Sequence, residues 1–189
     1  MKSPEALIQL SGGIDSTYVL YDWLRNNPDK SILVHHIHLK NHESRLEHEK
    51  VAVNNILDYL RKHGYNNFIY LESGFDYGNL GWIVKDVEVC GFFLGVILRN
   101  KRWSNLKQIL LPIYKPEAGL RHKRAERIRN IISLQRPIEV LYPLLEFTKE
   151  DTIKALPKEL LDLTWYCRKP VNGKVCGECI TCVEVNHLL

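Results

Sequence analysis

The sequence predicts an α/β fold, a doubly wound parallel sheet with a C-terminal four-cysteine segment. Three observations carry this. Strand-like and helix-like segments alternate along most of the 189 residues, the pattern of a parallel sheet covered on both faces. The first strand runs into a glycine turn and then a helix, where such folds bind ligands. Four of the five cysteines fall in the last 23 residues, at spacings that suit a metal better than a disulfide framework.

Ala6 to Leu10 is a short apolar run, read as the first strand. Ser16 to Leu24 has helical spacing, with Val19, Leu20, Trp23 and Leu24 on one side, and stops at Asn26-Asn27-Pro28. Ser31 to Leu39 is β-like. Glu43 to His63 is an amphipathic helix that Gly64 ends as a C-cap. Phe68 to Leu71 is a short strand, and Val84 to Arg102, apolar on most sides, is a buried helix. Gln108 to Tyr114 is a strand, Leu120 to Leu134 a basic amphipathic helix, and Ile138 to Leu141 a strand. Thr148 and Asp151 pair as N-cap and acidic N3 residue of a helix reaching Leu156. Pro157 breaks it, and Glu159 to Leu163 is a last helical turn. The expected division is an α/β domain over 1–163 with a metal-binding segment over 164–189 packed on it.

Composition excludes several classes. The chain is 45% hydrophobic and 25% charged, ordinary for a globular protein. The longest uncharged apolar run, Val89 to Leu98, has ten residues, against about 20 for a membrane span. The first residues show no secretion-signal pattern. With close Cys spacing, this gives a cytoplasmic expectation. A net charge of +4 does not by itself imply nucleic acid.

Ser11-Gly12-Gly13-Ile14-Asp15-Ser16-Thr17 links the first strand to the first helix. Adjacent glycines allow a tight turn and close approach to a ligand. The helix start supplies free N–H groups and partial positive charge, which suits phosphate. Ser11, Ser16 and Thr17 add hydroxyls. A bare carboxylate repels phosphate, so Asp15 fits beside a bridging Mg²⁺ or as a helix cap. The plain alternative is a capped glycine turn with no ligand.

Cys167-x8-Cys176-x2-Cys179-x2-Cys182 supplies four thiolates, the ligand count of a closed structural zinc site. Gly173 and Gly177 permit the tight backbone, and Arg168, Lys169 and Lys174 offset part of the thiolate charge. The alternatives are free or redox-active cysteines and a catalytic zinc.

The Ser11–Ser16 segment resembles the SGGxDS loop of the ATP pyrophosphatase superfamily and lacks the GK[ST] of a Walker loop. With the cysteine spacing, the chain resembles the 7-cyano-7-deazaguanine synthase (QueC) family of queuosine biosynthesis. Pro143-Leu144 with Lys149 and Glu150, Leu161-Asp162-Leu163 before Cys167, and Arg45 to Glu49 resemble further family segments. The resemblance implies an adenine nucleotide alpha hydrolase-like sheet, ATP and Mg²⁺ as cofactors with structural Zn²⁺, and a ligase releasing AMP and pyrophosphate. It implies a carboxylate or amide oxygen activated as its adenylate and attacked by ammonia, the acceptor being a small deazapurine. ATP binding falls by resemblance on Leu10, Ser11, Gly12, Gly13, Ile14, Asp15, Ser16, Thr17, His36 and Ile37, with Asp15, Ser16 and Arg124 catalytic. Arg45, His48, Gly119 and Arg121 are candidate acceptor contacts.

Two family segments are altered. Val89-Cys90-Gly91-Phe92-Phe93 stands where the family has PGRN, and Ala118 to Arg124 where it has SGYPDCR, with the aspartate lost. A carboxylate there suits a guanine-like edge. Its loss motivates an alternative, the same adenylation on a protein or RNA acceptor. A non-catalytic nucleotide-binding or zinc-ribbon module is a further one. The sequence leaves the oligomeric state open, a homodimer among the options, and no membrane partner is expected.

Arg121, Lys123, Arg124, Arg127 and Arg129 cluster on one helix, as a solvated face or as phosphate contacts. His36 and His38 point one way on a strand; without a third ligand they read as structural. Cys90, Trp82, Trp103 and Trp165 read as packing residues.

Overall fold

The computed structural model describes residues 2–80, 86–114, 126, 128–132 and 136–189. Five strands form one parallel sheet: β1 (Ala6–Gln9), β2 (Ile32–Lys40), β3 (Phe68–Asp76), β4 (Gln108–Leu110) and β5 (Glu139–Leu141). Their order is β3-β2-β1-β4-β5. Each strand pairs in parallel with its neighbours, so the doubly wound α/β expectation holds.

Side-chain alternation on the central strands divides the core in two. Ala6 and Ile8 of β1 and Ile32 and Val34 of β2 join the larger cluster. Leu7 and Leu33 face the other side, with Ile109 of β4. Helices α1 (Ile14–Asn26) and α2 (Leu46–Lys62) cover the first face. They are joined there by α4 (Lys149–Ala155), α5 (Lys158–Leu161) and α6 (Ile180–Asn186). Helix α3 (Val87–Arg99) covers the second face through Leu94, Ile97 and Leu98, with Ile128 and Ile132. Val185 of α6 is fully buried in the first core, so the cysteine segment is packed onto the sheet domain. No helix among the described residues is long and apolar enough to cross a membrane.

The differences from the sequence reading have physical causes. β3 runs on to Asp76 because β2 extends to Lys40 and pairs with it throughout. β4 stops at Leu110, four residues early, because its β5 partner ends opposite it at Leu141. α2 begins at Leu46, since Ser44 takes φ 54, which a helix cannot contain. α3 ends at Arg99, where a 3₁₀ turn over Lys101–Trp103 takes over. Gly64 does take a left-handed φ of 86 after α2. Helix α6 had no counterpart in the sequence reading. Of the basic helix, 126 and 128–132 are helical; Arg121, Lys123, Arg124 and Arg127 lie outside the described residues, as do Gly119 and Trp82.

Candidate nucleotide site and metal centre

Strand order reverses across β1, since β2 leaves on one side and β4 on the other. A crevice opens beyond the strand ends at such a point. Here a cleft of about 270 Å³ is lined by Gln9 of β1 with Leu10 and Ser11 just after it, His36 and Ile37 from β2, and Leu111 after β4.

The loop from Ser11 to Ser16 closes one side. Gly12 holds φ 80, and a Cβ there would lie 3.1 Å from Ala52 Cβ and 3.2 Å from the Glu49 carbonyl oxygen. Only glycine fits both the conformation and the space. Gly13 is the N-cap of α1 and offers no side chain to cap it, so the first N–H groups of the helix stay available. The hydroxyls brace the loop. The Ser11 and Ser16 Oγ atoms are 3.1 Å apart, and the Ser11 N–H donates to Ser16 Oγ at 3.2 Å. Thr17 Oγ1 donates to the Gly13 carbonyl at 2.8 Å and is fully buried, away from the cleft. Ile14 is buried in the core, so its backbone alone reaches the loop.

Asp15 is not free. Its Oδ1 accepts from Lys149 Nζ at 2.5 Å and from the Tyr114 hydroxyl at 2.7 Å. The Tyr114 hydroxyl also lies 2.9 Å from Thr152 Oγ1. Lys149 opens α4 behind the Thr148–Asp151 capping box. A lysine and a carboxylate thus stand together beside the N-terminus of α1. The sequence reading quoted Lys149 without placing it in the site and did not place Tyr114 there; the lysine following the cap was its only local signal.

The histidines of β2 are each held by one hydrogen bond. His36 Nδ1 lies 2.8 Å from the Leu10 carbonyl and donates to it. His35 Nε2 lies 2.8 Å from Ser73 Oγ. Burial pushes both imidazoles down to about 4, so both are neutral at pH 7. His36 and His38 stack edge to face at 4.6 Å, but His38 bonds Glu72 at the surface.

Arg45 reaches the cleft inside a charged cluster. It pairs with Glu43 and Glu49 at 2.6 Å each and with Asp86. Asp86 also accepts from the Tyr77 hydroxyl. Burial pushes the Glu49 carboxyl up to about 7, with Arg45 pulling the other way. His48 does not line the cleft; its ring stacks on Trp165 at 4.1 Å. Cys90 packs beside Ile37, Leu39 and Tyr77 and also reaches the cleft. Trp103 is buried, as expected of a packing residue.

Among the described residues, Cys167, Cys176, Cys179 and Cys182 are the one group of three or more suited to a metal, their sulfurs all within 4.8 Å of one another. Two of the separations are 3.6 and 3.8 Å. Sulfurs about 2.3 Å from one tetrahedral ion lie at such separations. Asn172 and Gly173, at φ 50 and 76, make the hairpin turn between Val171 and Lys174, and Gly177 at φ 75 turns the second half. Backbone N–H groups of Cys176 and Cys179 donate to Cys167 and Cys176 sulfurs at 3.3 Å each. The donor set fits a bound metal.

No family model matches the sequence, and no curated protein matches it. Among solved structures the chain is similar to the U34-tRNA thiolase NcsA from Methanococcus maripaludis with its 4Fe–4S cluster, at TM-score 0.53 and 15% identity. The match covers 100% of this chain and 66% of that one. The likeness is one of fold, a parallel α/β sheet with helices on its faces.

Proposed function

We propose that this chain is an ATP-dependent adenylating enzyme. An acceptor oxygen attacks the α-phosphorus of ATP, pyrophosphate leaves, and a nucleophile then displaces AMP. The observation that carries this reading is the loop beyond β1, with the free N–H groups of α1 and the Asp15–Lys149 pair beside them. The N–H groups and Lys149 neutralise phosphate charge, and Asp15 holds Lys149 in place or meets Mg²⁺. Mg²⁺, held beside Asp15, would supply positive charge that offsets the charge of the phosphates. Arg124 and Arg121 add positive charge under this reading, and Ser16 orients the loop. The first 163 residues act as the catalytic domain, and 164–189 as its metal-binding segment.

The acceptor we favour is an RNA base. The altered acceptor segments, the basic run at Arg121 to Arg129 and the tRNA activity named for the similar structure support it. A second reading, 7-carboxy-7-deazaguanine amidated with ammonia, rests on the QueC-like segments. For the cysteines we propose one zinc ion, because a cubane places four irons between its thiolates and spreads them wider than these sit.

The test is mass spectrometry of reactions holding Mg-ATP with tRNA, or with 7-carboxy-7-deazaguanine and ammonium, following AMP, pyrophosphate and the base. AMP formation that depends on tRNA supports the first acceptor; amide or nitrile product supports the second. ATP binding with AMP from neither acceptor overturns the enzyme reading in favour of a nucleotide-binding module.

A further inference from the structure

The segment from Trp165 to Arg168 joins the cysteines to the phosphate loop. The Trp165 N–H donates to the Gly12 carbonyl at 2.8 Å. Its own carbonyl lies 3.6 Å from where a Cβ on Gly13 would stand. Its indole N–H donates to the Cys167 carbonyl at 2.8 Å, and its ring lies nearly parallel to that of His48, at 9°. Arg168, on the far side of Cys167, is fixed twice. Its backbone N–H lies 3.5 Å from Cys179 Sγ. Its guanidinium reaches Glu43 Oε1 at 2.5 and 3.0 Å, and Glu43 pairs with Arg45. Arg168 and Gly13 line the same cleft.

A loop that holds phosphate through backbone N–H groups depends on the tilt of its peptide planes. Gly12 has no side chain to anchor its peptide plane, and Trp165 grips its carbonyl. The grip is only as firm as the segment supplying it. Beyond Val185 and the half-buried Trp165 and Tyr166 that segment has little core: Val171, Val175 and Ile180 are exposed, and the buried Cys167 and Cys182 hold its inner side. Four thiolates within 4.8 Å of one another repel unless a cation joins them.

We propose that the four-cysteine segment shapes the phosphate loop, with Trp165 and Arg168 as positioning residues that pass metal occupancy to Gly12 and to the Arg45 cluster, so that affinity for the phosphates of ATP depends on metal loading. This rests on the reading of the cleft as the ATP site. Linkage makes the effect reciprocal: ATP tightens the hold on metal by the same factor.

The test compares the zinc-loaded chain, the chelator-stripped chain and the chain reloaded with zinc. Hydrogen exchange of the amides of residues 12–16 is followed without nucleotide, and Mg-ATP affinity by calorimetry. Circular dichroism reports whether the sheet domain stays folded. The expected result is faster loop exchange and at least tenfold weaker ATP binding on stripping, both restored by zinc. ATP should slow zinc loss to the chelator. If the stripped chain unfolds, zinc-loaded Trp165→Phe and Arg168→Gln carry the test. Each should keep one zinc per chain, exchange its loop faster and bind ATP several-fold more weakly, with Arg168→Lys recovering part of the loss. Unchanged loop exchange on stripping, or variants with full zinc and wild-type ATP affinity, overturns the proposal. Zinc-dependent loop exchange in a wild-type chain that binds no ATP leaves the coupling standing and removes the adenylation reading instead.

Discussion

Asp15 faces two demands. Beside a triphosphate its charge is unfavourable, yet here it holds Lys149 at 2.5 Å and Tyr114 at 2.7 Å. Lys149 is 12% exposed and Asp15 31%, so the pair is partly shielded and its order counts for more than that of a surface ion pair. Lys149→Ala should lower pyrophosphate release on the order of a hundredfold with unchanged circular dichroism. Wild-type turnover in that variant would remove Lys149 from the site. Gly12 makes a stability prediction. Alanine there must hold φ 80 against Ala52 and the Glu49 carbonyl, so Gly12→Ala should cost about 1–3 kcal/mol in denaturant unfolding. The sequence pointed to the Gly12 turn because glycine pairs mark such turns locally. It did not point to the partners of Asp15, which lie 134 and 99 residues away along the chain.

Among the elements, α4 matters to the site through its first turn, as α1 does through its own. Thr148 Oγ1 accepts from the Asp151 N–H at 3.1 Å, and Asp151 accepts from the Thr148 N–H at 2.9 Å. The box was legible because its residues are three apart. Its consequence was not, because only packing sets the start of α4 against α1. Thr148→Ala should cost about 1 kcal/mol by thermal unfolding and weaken ATP binding, since Lys149 is the first helical residue. Loss of stability with unchanged ATP affinity would show that Lys149 does not need the cap. Strand lengths were misjudged at β3 and β4 for one reason: a strand extends as far as its neighbour does, and the neighbour is set by sheet order.

Over the whole molecule, buried charge and metal decide the response to conditions. His35 and His36 titrate near 4 when folded and near 6.5 when unfolded. Between those values the unfolded chain binds more protons, so stability falls as pH drops from 6.5 towards 4. Glu49, raised from 4.5 to about 7, acts in the opposite sense, being favoured protonated when folded. Two histidines against one carboxyl leave net acid destabilisation. Melting temperature should fall between pH 6.5 and 4, and His36→Asn should flatten the fall; an unchanged slope would mean that His36 is charged when folded. Chelation should lower the melting temperature, because α6 carries the buried Cys182 and sets Val185 in the main core; an unchanged melting temperature would deny the cysteines a structural metal.

What the sequence determined by itself was local and periodic. The alternation of strands and helices, the turn at Gly12, the cap at Thr148 and the four closely spaced cysteines need only residues a few positions apart. The tertiary structure alone decided which distant groups meet: Lys149 and Tyr114 at Asp15, Asp86 at Arg45, and Trp165 on Gly12. Those pairings follow from β1 lying between β2 and β4. That order brings the first loop, the start of α4 and the cysteine segment to one end of the sheet, and no local pattern encodes it.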